Sequence, residues 1–426
     1  MINRTRQPDL NKIETLNIPL PEKARLDNGI PVFMFNAGDN AITKLDFIFD
    51  AGTRYGLHPL EVVFANKMLS EGTMNYSSYE IARKLDFYGA ELNKAVTKDI
   101  AVLSLSALSK NMKYVLPILN EIINFPEFSA DELKIHVQKD KQAFVDDCRK
   151  VSKVASMNFY RQLYGEKHPY GIIIAADDFD KLNPKQLVDF HREYYRPERC
   201  KIVVSGKLNP NILELLNYFF GHFRKEKPKI GEEIGHEIIQ GKPKQFIKMP
   251  SAVQSAVRIG TISINKTHED YIRLFILNTL FGGYFGSRLM KNIREDKGYT
   301  YGIYSMLLSF QKSAMFIIST EVGAQVCRKA VKEIYNELRI LNNEPPSAQE
   351  LDLVKKYLTG SIIRSFDGPF EVSDRFKSLL EYGIDYKKYY TEFIQTINTV
   401  RPDDLMNVAN KYLDPESMSE LIVGKK

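Results

Sequence analysis

Two similar α+β domains, each a mainly antiparallel sheet packed with helices, are the fold the sequence predicts, and three observations predict it. At 426 residues the chain exceeds what one ordinary core organises, which favours two or more domains. Stretches with the two-residue alternation of strands are interleaved with stretches of helical spacing, and the succession runs twice. Between the two runs, Arg224 to Gln245 is charged, contains Pro and Gly, and lacks a clean amphipathic period. The expected division is residues 1–223, a linker over 224–245, and residues 246–426.

Taken in order, Asn28-Gly29 is a turn signal, and Ile30 to Asn36 after it reads as a strand paired with the alternating Thr43 to Phe49. Leu60 to Ser70 has helical spacing and stops at Glu71-Gly72-Thr73. Ser78 to Tyr88 is a second short helix, closing at Gly89. Leu92 to Leu105 alternates and is expected as one strand, with an amphipathic helix over Lys110 to Asn124. Ser129-Ala130-Asp131-Glu132 opens long helical segments that run to His168. A helix over 179–195, a strand over 200–205 and a helix over 209–223 complete the first unit. The second has a strand over 255–264, a helix over 270–280, strands near Tyr301 and over 313–320, and a helix over 325–341. Pro346-Ser347 opens a long helix, and a helix near Asp403 to Tyr412 and a strand over 420–423 close the chain.

The two runs align as a repeat. Gly52-Thr53 matches Gly260-Thr261, Leu69 to Gly72 matches Leu280 to Gly283, and Gly89 matches Gly298, at nearly constant separation.

Composition narrows the function. The 44% hydrophobic and 26% charged content is that of a globular protein, and the net charge of +6 is spread over 59 Lys+Arg and 53 Asp+Glu. No basic stripe marks a nucleic-acid partner. The N-terminal stretch has no apolar core of a secretory leader, and no apolar run of about 18 residues exists. Three cysteines far apart, Cys148, Cys200 and Cys327, read as reduced thiols. A cytoplasmic protein with no membrane span is the expectation.

Chemistry concentrates in Thr279 to Ser305. A helix interrupted by Gly282-Gly283 and Gly286 carries Arg294, a turn falls at Gly298, and an alternating strand carries Tyr301. A helix-to-strand turn can direct a guanidinium and a phenol into one space, where a helix or strand alone would separate them. The other reading of the pair is that Arg294 meets a carboxylate and Tyr301 packs in the sheet. The glycines lack the strand, lysine and hydroxyl of a phosphate cradle, so close helix packing is their reading.

The stretch LFGGYFGSRLMKNIREDKGYTY, Leu280 to Tyr301, resembles the C-terminal-half signature of the insulinase (M16) zinc peptidases. GTRYG at Gly52, LSEGT at Leu69, HPYG at His168 and IVG at Ile422 extend the resemblance over nearly the whole chain. It implies an M16 metallopeptidase-like (LuxS/MPP-like) fold, and it implies that Arg294 and Tyr301 bind substrate backbone and act in catalysis by stabilising the reacting carbonyl. A cation and a phenol donor suit an oxyanion that develops in amide hydrolysis. The strand from Lys94 takes the place where the family pairs an edge strand with an extended peptide.

The resemblance also implies HxxEH on a helix, two His for zinc and a Glu for the bound water. Here those positions read Val63, Phe64, Ala65, Asn66, Lys67, and the third ligand falls at Ala143 or Phe144. Val63, Asn66 and Lys67 replace the ligands and base, so no cofactor is expected on this chain. His58 to Glu61 spells HxxE, but Val62 replaces the second His and Pro59 cannot sit in a helix interior, so His58 reads as a loop residue. The remaining histidines, His136 among them, form no HxxxH pair. The profile resembles the zinc-free subunit of a heterodimeric M16 peptidase: inactive alone, acting on peptide beside an HxxEH-bearing partner that holds the zinc. The alternative is an inactive homologue with an assembly or peptide-binding role, and self-association is the other partner expectation.

Overall fold

The computed structural model of the chain describes residues 17–222 and 243–425. The first half contains β1 (Glu22–Arg25), β2 (Pro31–Asn36), β3 (Ile42–Phe49), α1 (Pro59–Met68), α2 (Ser78–Phe87), β4 (Glu91–Val96) and β5 (Ala101–Leu108). It continues with α3 (Met112–Asn124), α4 (Ala130–Asp147), α5 (Val151–Tyr164), α6 (Pro184–Tyr194), β6 (Cys200–Gly206) and α7 (Ile212–Phe220). The second half contains β7 (Lys244–Lys248), β8 (Gln254–Ser263), α8 (Tyr271–Asn278), β9 (Thr300–Ser309), β10 (Ala314–Gly323) and α9 (Cys327–Asn343). After it come α10 (Ala348–Arg364), α11 (Pro369–Leu380), α12 (Tyr386–Thr399), α13 (Pro402–Tyr412) and β11 (Ser419–Gly424).

The first sheet runs β1-β2-β6-β3-β5-β4 and the second β7-β11-β8-β10-β9. Dropping β1, the orders superimpose strand for strand. Each has one parallel pair, β2 with β6 and β7 with β11, in an otherwise antiparallel sheet. This is the two-copy α+β architecture the repeat predicts. Gly89 and Gly298 occupy one structural role, each closing a helix in the left-handed conformation (φ 61° and 63°) before an edge strand.

Four expectations needed correction. β2 and β3 do not pair with each other: β6, which arrives from the far end of the first half, lies between them and bonds to both, a long-range pairing that local alternation does not reveal. Leu92 to Leu105 is a hairpin, not one strand. Its turn lacks Gly or Pro and is made instead by the Thr97 hydroxyl, which accepts from the Asp99 and Ile100 amides at 3.2 and 3.0 Å. The long helix opened at Ser347 is α10, which ends at Arg364, and two further helices that were not expected follow it: α11, entered through Gly368 (φ 127°) and Pro369, and α12. The expected linker over 224–245 lies largely outside the described residues, and its end, Lys244 and Gln245, already belongs to β7. That charged stretch serves as an edge strand, whose outward face tolerates polar side chains.

Each half lends a helix to the other's sheet. On β3, Leu45, Phe47 and Phe49 point to the first half's own helices, whereas Lys44, Asp46 and Ile48 face α11. Asp46 is fully buried there and pairs with Lys377 at 2.6 Å, while Lys44 meets Asp374 at 2.9 Å. In return, Ala155, Phe159 and Leu163 of α5 pack on Ala256, Met315, Ile317, Leu421 and Val423 of the second sheet.

The hairpin tips also meet. Asp99, at the β4–β5 tip, is buried and ion-pairs with Arg54 at 3.0 Å, a contact without the alignment of a hydrogen bond. Its carboxylate accepts from the Tyr170 hydroxyl at 2.6 Å and from the Gln311 amide, at the β9–β10 tip, at 2.9 Å. Arg54 belongs to GTRYG and Tyr170 to HPYG, so two of the motifs converge on one carboxylate between the halves. Gly52 is needed for this closure, because a Cβ there would lie 2.3 Å from the Asp99 backbone.

One part-buried imidazole gives the fold an acid limit. His191 on α6 contacts the Ile123 carbonyl at 2.8 Å and stacks on Tyr195. Burial pushes it down to about 4, against an opposing contribution from the Ile123 carbonyl. Above pH ~6.5 the ring is neutral folded or unfolded; below it the unfolded chain gains a proton that the folded chain refuses. Stability is therefore expected to fall by up to about 3 kcal/mol as pH drops from ~6.5 to ~4, less for whatever exposure the ring keeps. Urea melts across that window should show a shallower slope for His191→Gln than for the parent chain.

Candidate functional site

The segment joining α8 to β9 is built to carry side chains outward. Residues Thr279–Gly283 and Met290–Asp296 widen into π-helical turns, a geometry common at functional sites. Gly282 lets the first of these lie on β9, since a Cβ would stand 2.5 Å from Ser305 Oγ and 2.6 Å from its amide. At the second, the Gly298 and Tyr299 amides bond back to the Arg294 and Ile293 carbonyls at 3.1 and 3.0 Å. The chain then enters β9, the outermost strand of its sheet.

Most polar side chains of the segment are tied to their own half. Arg288 grips Glu350 with two bonds of 2.9 and 3.1 Å, Asn292 donates to Glu337 at 2.6 Å, and Lys297 approaches Glu333 at 3.6 Å. Tyr284 packs on Tyr357 at 4.8 Å. Arg294 differs: among the described residues it has no carboxylate within ion-pair distance, and its guanidinium lies 4.7 Å over the Phe285 ring. Tyr301 is 90% exposed on the edge strand. The bracing alternative thus fits Arg288 rather than Arg294, and Tyr301 does not pack in the sheet. No hydrogen bond joins Arg294 to Tyr301; both present polar groups outward from the two sides of one turn.

The expected metal position lies on α1 and α4. Val63 packs against the core, and Asn66 is buried with its amide donating to the Tyr195 hydroxyl at 2.9 Å. Lys67 contacts both oxygens of Asp140 at 2.7 Å. Phe144, one turn beyond Asp140, packs on Phe179. Donors that a zinc ion requires are missing here, and an ammonium paired to a carboxylate occupies the α1–α4 contact, so these residues do not fit zinc.

His136 is better connected than its isolation in the sequence suggests. Glu71, Glu132 and His136 offer ligand-type atoms within 4.8 Å of one another. The Glu132–His136 spacing of one helical turn on α4 was a signal that could have been read. Glu71 holds His136 Nε2 at 3.2 Å and Lys94 at 3.5 Å, and Glu132 accepts from the Ser78 hydroxyl. Lys94 also donates to the Lys67 carbonyl and the Ser70 hydroxyl. Burial pulls the Lys94 ammonium below the usual lysine range, although Glu71 opposes this. With Lys67 and Asp140, this makes a network in which ammonium groups neutralise carboxylates, between α1, α4 and the edge strand β4.

His58 is the N-cap of α1, its Nδ1 accepting from the Leu60 amide at 3.3 Å, and Pro59 takes the first helical position. Among the described residues, no helix is long and apolar enough to cross a membrane.

Comparison with known proteins agrees with this fold. The insulinase (peptidase family M16) model matches residues 63–175, and the peptidase M16 inactive domain model matches residues 181–358. The uncharacterized zinc protease YmxG of Bacillus subtilis is 23% identical over 402 residues, covering 93% of this chain and 96% of that protein. The probable inactive metalloprotease YmfF of the same organism is 23% identical over 350 residues, covering 76% and 80%. A solved peptidase M16 inactive domain from Pseudomonas fluorescens superimposes with a TM-score of 0.84 at 25% identity, covering 96% of this chain and 98% of that one. A protease from Helicobacter pylori matches in fold with a TM-score of 0.86 at 19% identity, covering 96% and 100%. With both of its domain models spanning most of the described chain, this protein belongs to the insulinase (M16) peptidase family.

Proposed function

We propose that this chain is the zinc-free subunit of a two-chain M16 peptidase, binding peptide and stabilising the reacting carbonyl while an HxxEH-bearing partner holds the zinc. The observation that carries the reading is Arg294, a guanidinium with no carboxylate partner among the described residues, followed across one turn by the exposed phenol of Tyr301. A planar fork of N–H donors and a hydroxyl suit a carbonyl oxygen that gains negative charge. The outermost strand β4, with its alternating half-exposed face, supports pairing with an extended peptide through backbone bonds.

A second reading, an inactive homologue serving assembly or peptide binding, draws on the ion-pair network that fills the α1–α4 contact. It gives no reason for Arg294 and Tyr301 to stay unengaged. The test is a fluorogenic peptide assay of this chain alone, an HxxEH-bearing relative from the same cell alone, and the two together. Activity only in the mixture is expected. A zinc-bearing chain fully active by itself and unchanged by this one would favour the second reading.

A further inference from the structure

We infer that Phe285 is a positioning residue for Arg294: its exposed ring holds the guanidinium by one face and leaves the in-plane N–H fork open toward the substrate. The inference rests on the functional reading of Arg294 above.

Phe285 lies between the two π-helical turns, and its side chain is 60% exposed. A single exposed apolar residue is ordinary. What gives this one a role is the guanidinium 4.7 Å over its ring. A long arginine at the surface samples many rotamers, and ordering it on binding carries an entropic cost. Two devices can order it beforehand. A carboxylate does so by occupying the N–H donors, as Glu350 does for Arg288 in the same segment. An aromatic ring does so through the cation–π attraction, which acts on the guanidinium face and uses none of the donors. Arg288 and Arg294 thus show the two alternatives side by side: the first arginine is spent on structure, and the second is held while its donors stay available. Gly286 follows directly, where a Cβ would stand 2.8 Å from the Tyr284 ring; the glycine keeps that ring on Tyr357 and lets Phe285 alone project.

The contact is partly solvent-exposed, so its effect is modest and specific. Phe285→Ala is expected to lower kcat of the two-chain mixture about three- to tenfold, with KM little changed, because the ring orders a group that acts as charge develops. Phe285→Tyr and Phe285→Trp keep a π face and should restore the rate. Urea midpoints should be the same for all three, since the ring covers no core. A second readout is independent of activity: the Arg294 Nε–H resonance of the isolated chain should carry a ring-current shift that Phe285→Ala abolishes and Phe285→Tyr retains. If Arg294→Ala cripples the mixture and Phe285→Ala does not, the positioning role is wrong. If Arg294→Ala itself changes nothing, the functional reading fails and this inference with it. An Arg294 resonance indifferent to Phe285 overturns the contact directly.

Discussion

Arg294→Ala is expected to lower kcat of the two-chain peptidase by about 10²–10³-fold, the effect of removing one donor from a developing oxyanion. The magnitude follows from what the side chain does not do. Among the described residues it makes no ion pair, so its removal leaves no buried carboxylate behind and should hardly change stability. A catalytic loss without a stability loss separates a functional arginine from a structural one. Arg288 supplies the control: Arg288→Ala deprives the half-exposed Glu350 of its partner, so it should lower the urea midpoint and affect kcat far less. Tyr301→Phe removes only a hydroxyl from a side chain that packs against nothing. It should reduce kcat in the same direction as Arg294→Ala at unchanged stability. Steady-state kinetics and urea melts on the same preparations check both halves of this expectation.

Asp99→Ala should be the most destabilising single change at the junction of the two halves, costing about 3 kcal/mol, because it strips a guanidinium only 11% exposed of its buried carboxylate. The same carboxylate receives the Tyr170 hydroxyl and the Gln311 amide, so donors from three segments lose their acceptor together. Tyr170→Phe, which deletes one donor and leaves the ion pair, should cost only about 0.5–1.5 kcal/mol. That ordering discriminates between a charge-centred clasp and simple packing, since Tyr170 also packs at a tilt on Phe310 at 4.7 Å and loses no ring in the variant. Denaturant unfolding of the two variants checks it. Equal losses would show that the aromatic packing, not the buried charge, closes the hairpin tips on one another.

The fold was legible in the sequence wherever local chemistry sets local structure. The turn glycines Gly89 and Gly298 and the alternating strands point to two copies of one α+β unit, but not to the sheet order, because β6 and β11 enter their sheets from far along the chain. The β4–β5 hairpin escaped because its turn is closed by the Thr97 hydroxyl rather than by Gly or Pro. Helices α11 and α12 escaped because a long helical period does not announce a break until Gly368-Pro369 is weighed. The Asp99 clasp could not be read at all, since Gln311 is brought to it only by the folding of both halves. At the site, the emptiness of Val63, Asn66 and Lys67 was plain, but not what fills the space: Asp140 and Lys94 reach it from α4 and β4. Arg294 and Tyr301 were singled out as candidates from motif and spacing. That the first lies on Phe285 was hidden, because two π-helical turns shift the register from which helical neighbours are counted.

We propose that Arg294 and Tyr301 of this chain act at a metal held by another. The most direct test is a titration: a fixed amount of the HxxEH-bearing chain receives increasing amounts of this one, and peptide hydrolysis is followed. The rate should rise from near zero and saturate at one chain per chain, and Arg294→Ala should occupy the partner with the same stoichiometry while yielding little activity. A rate independent of this chain, or one restored equally well by Arg294→Ala, would contradict the account.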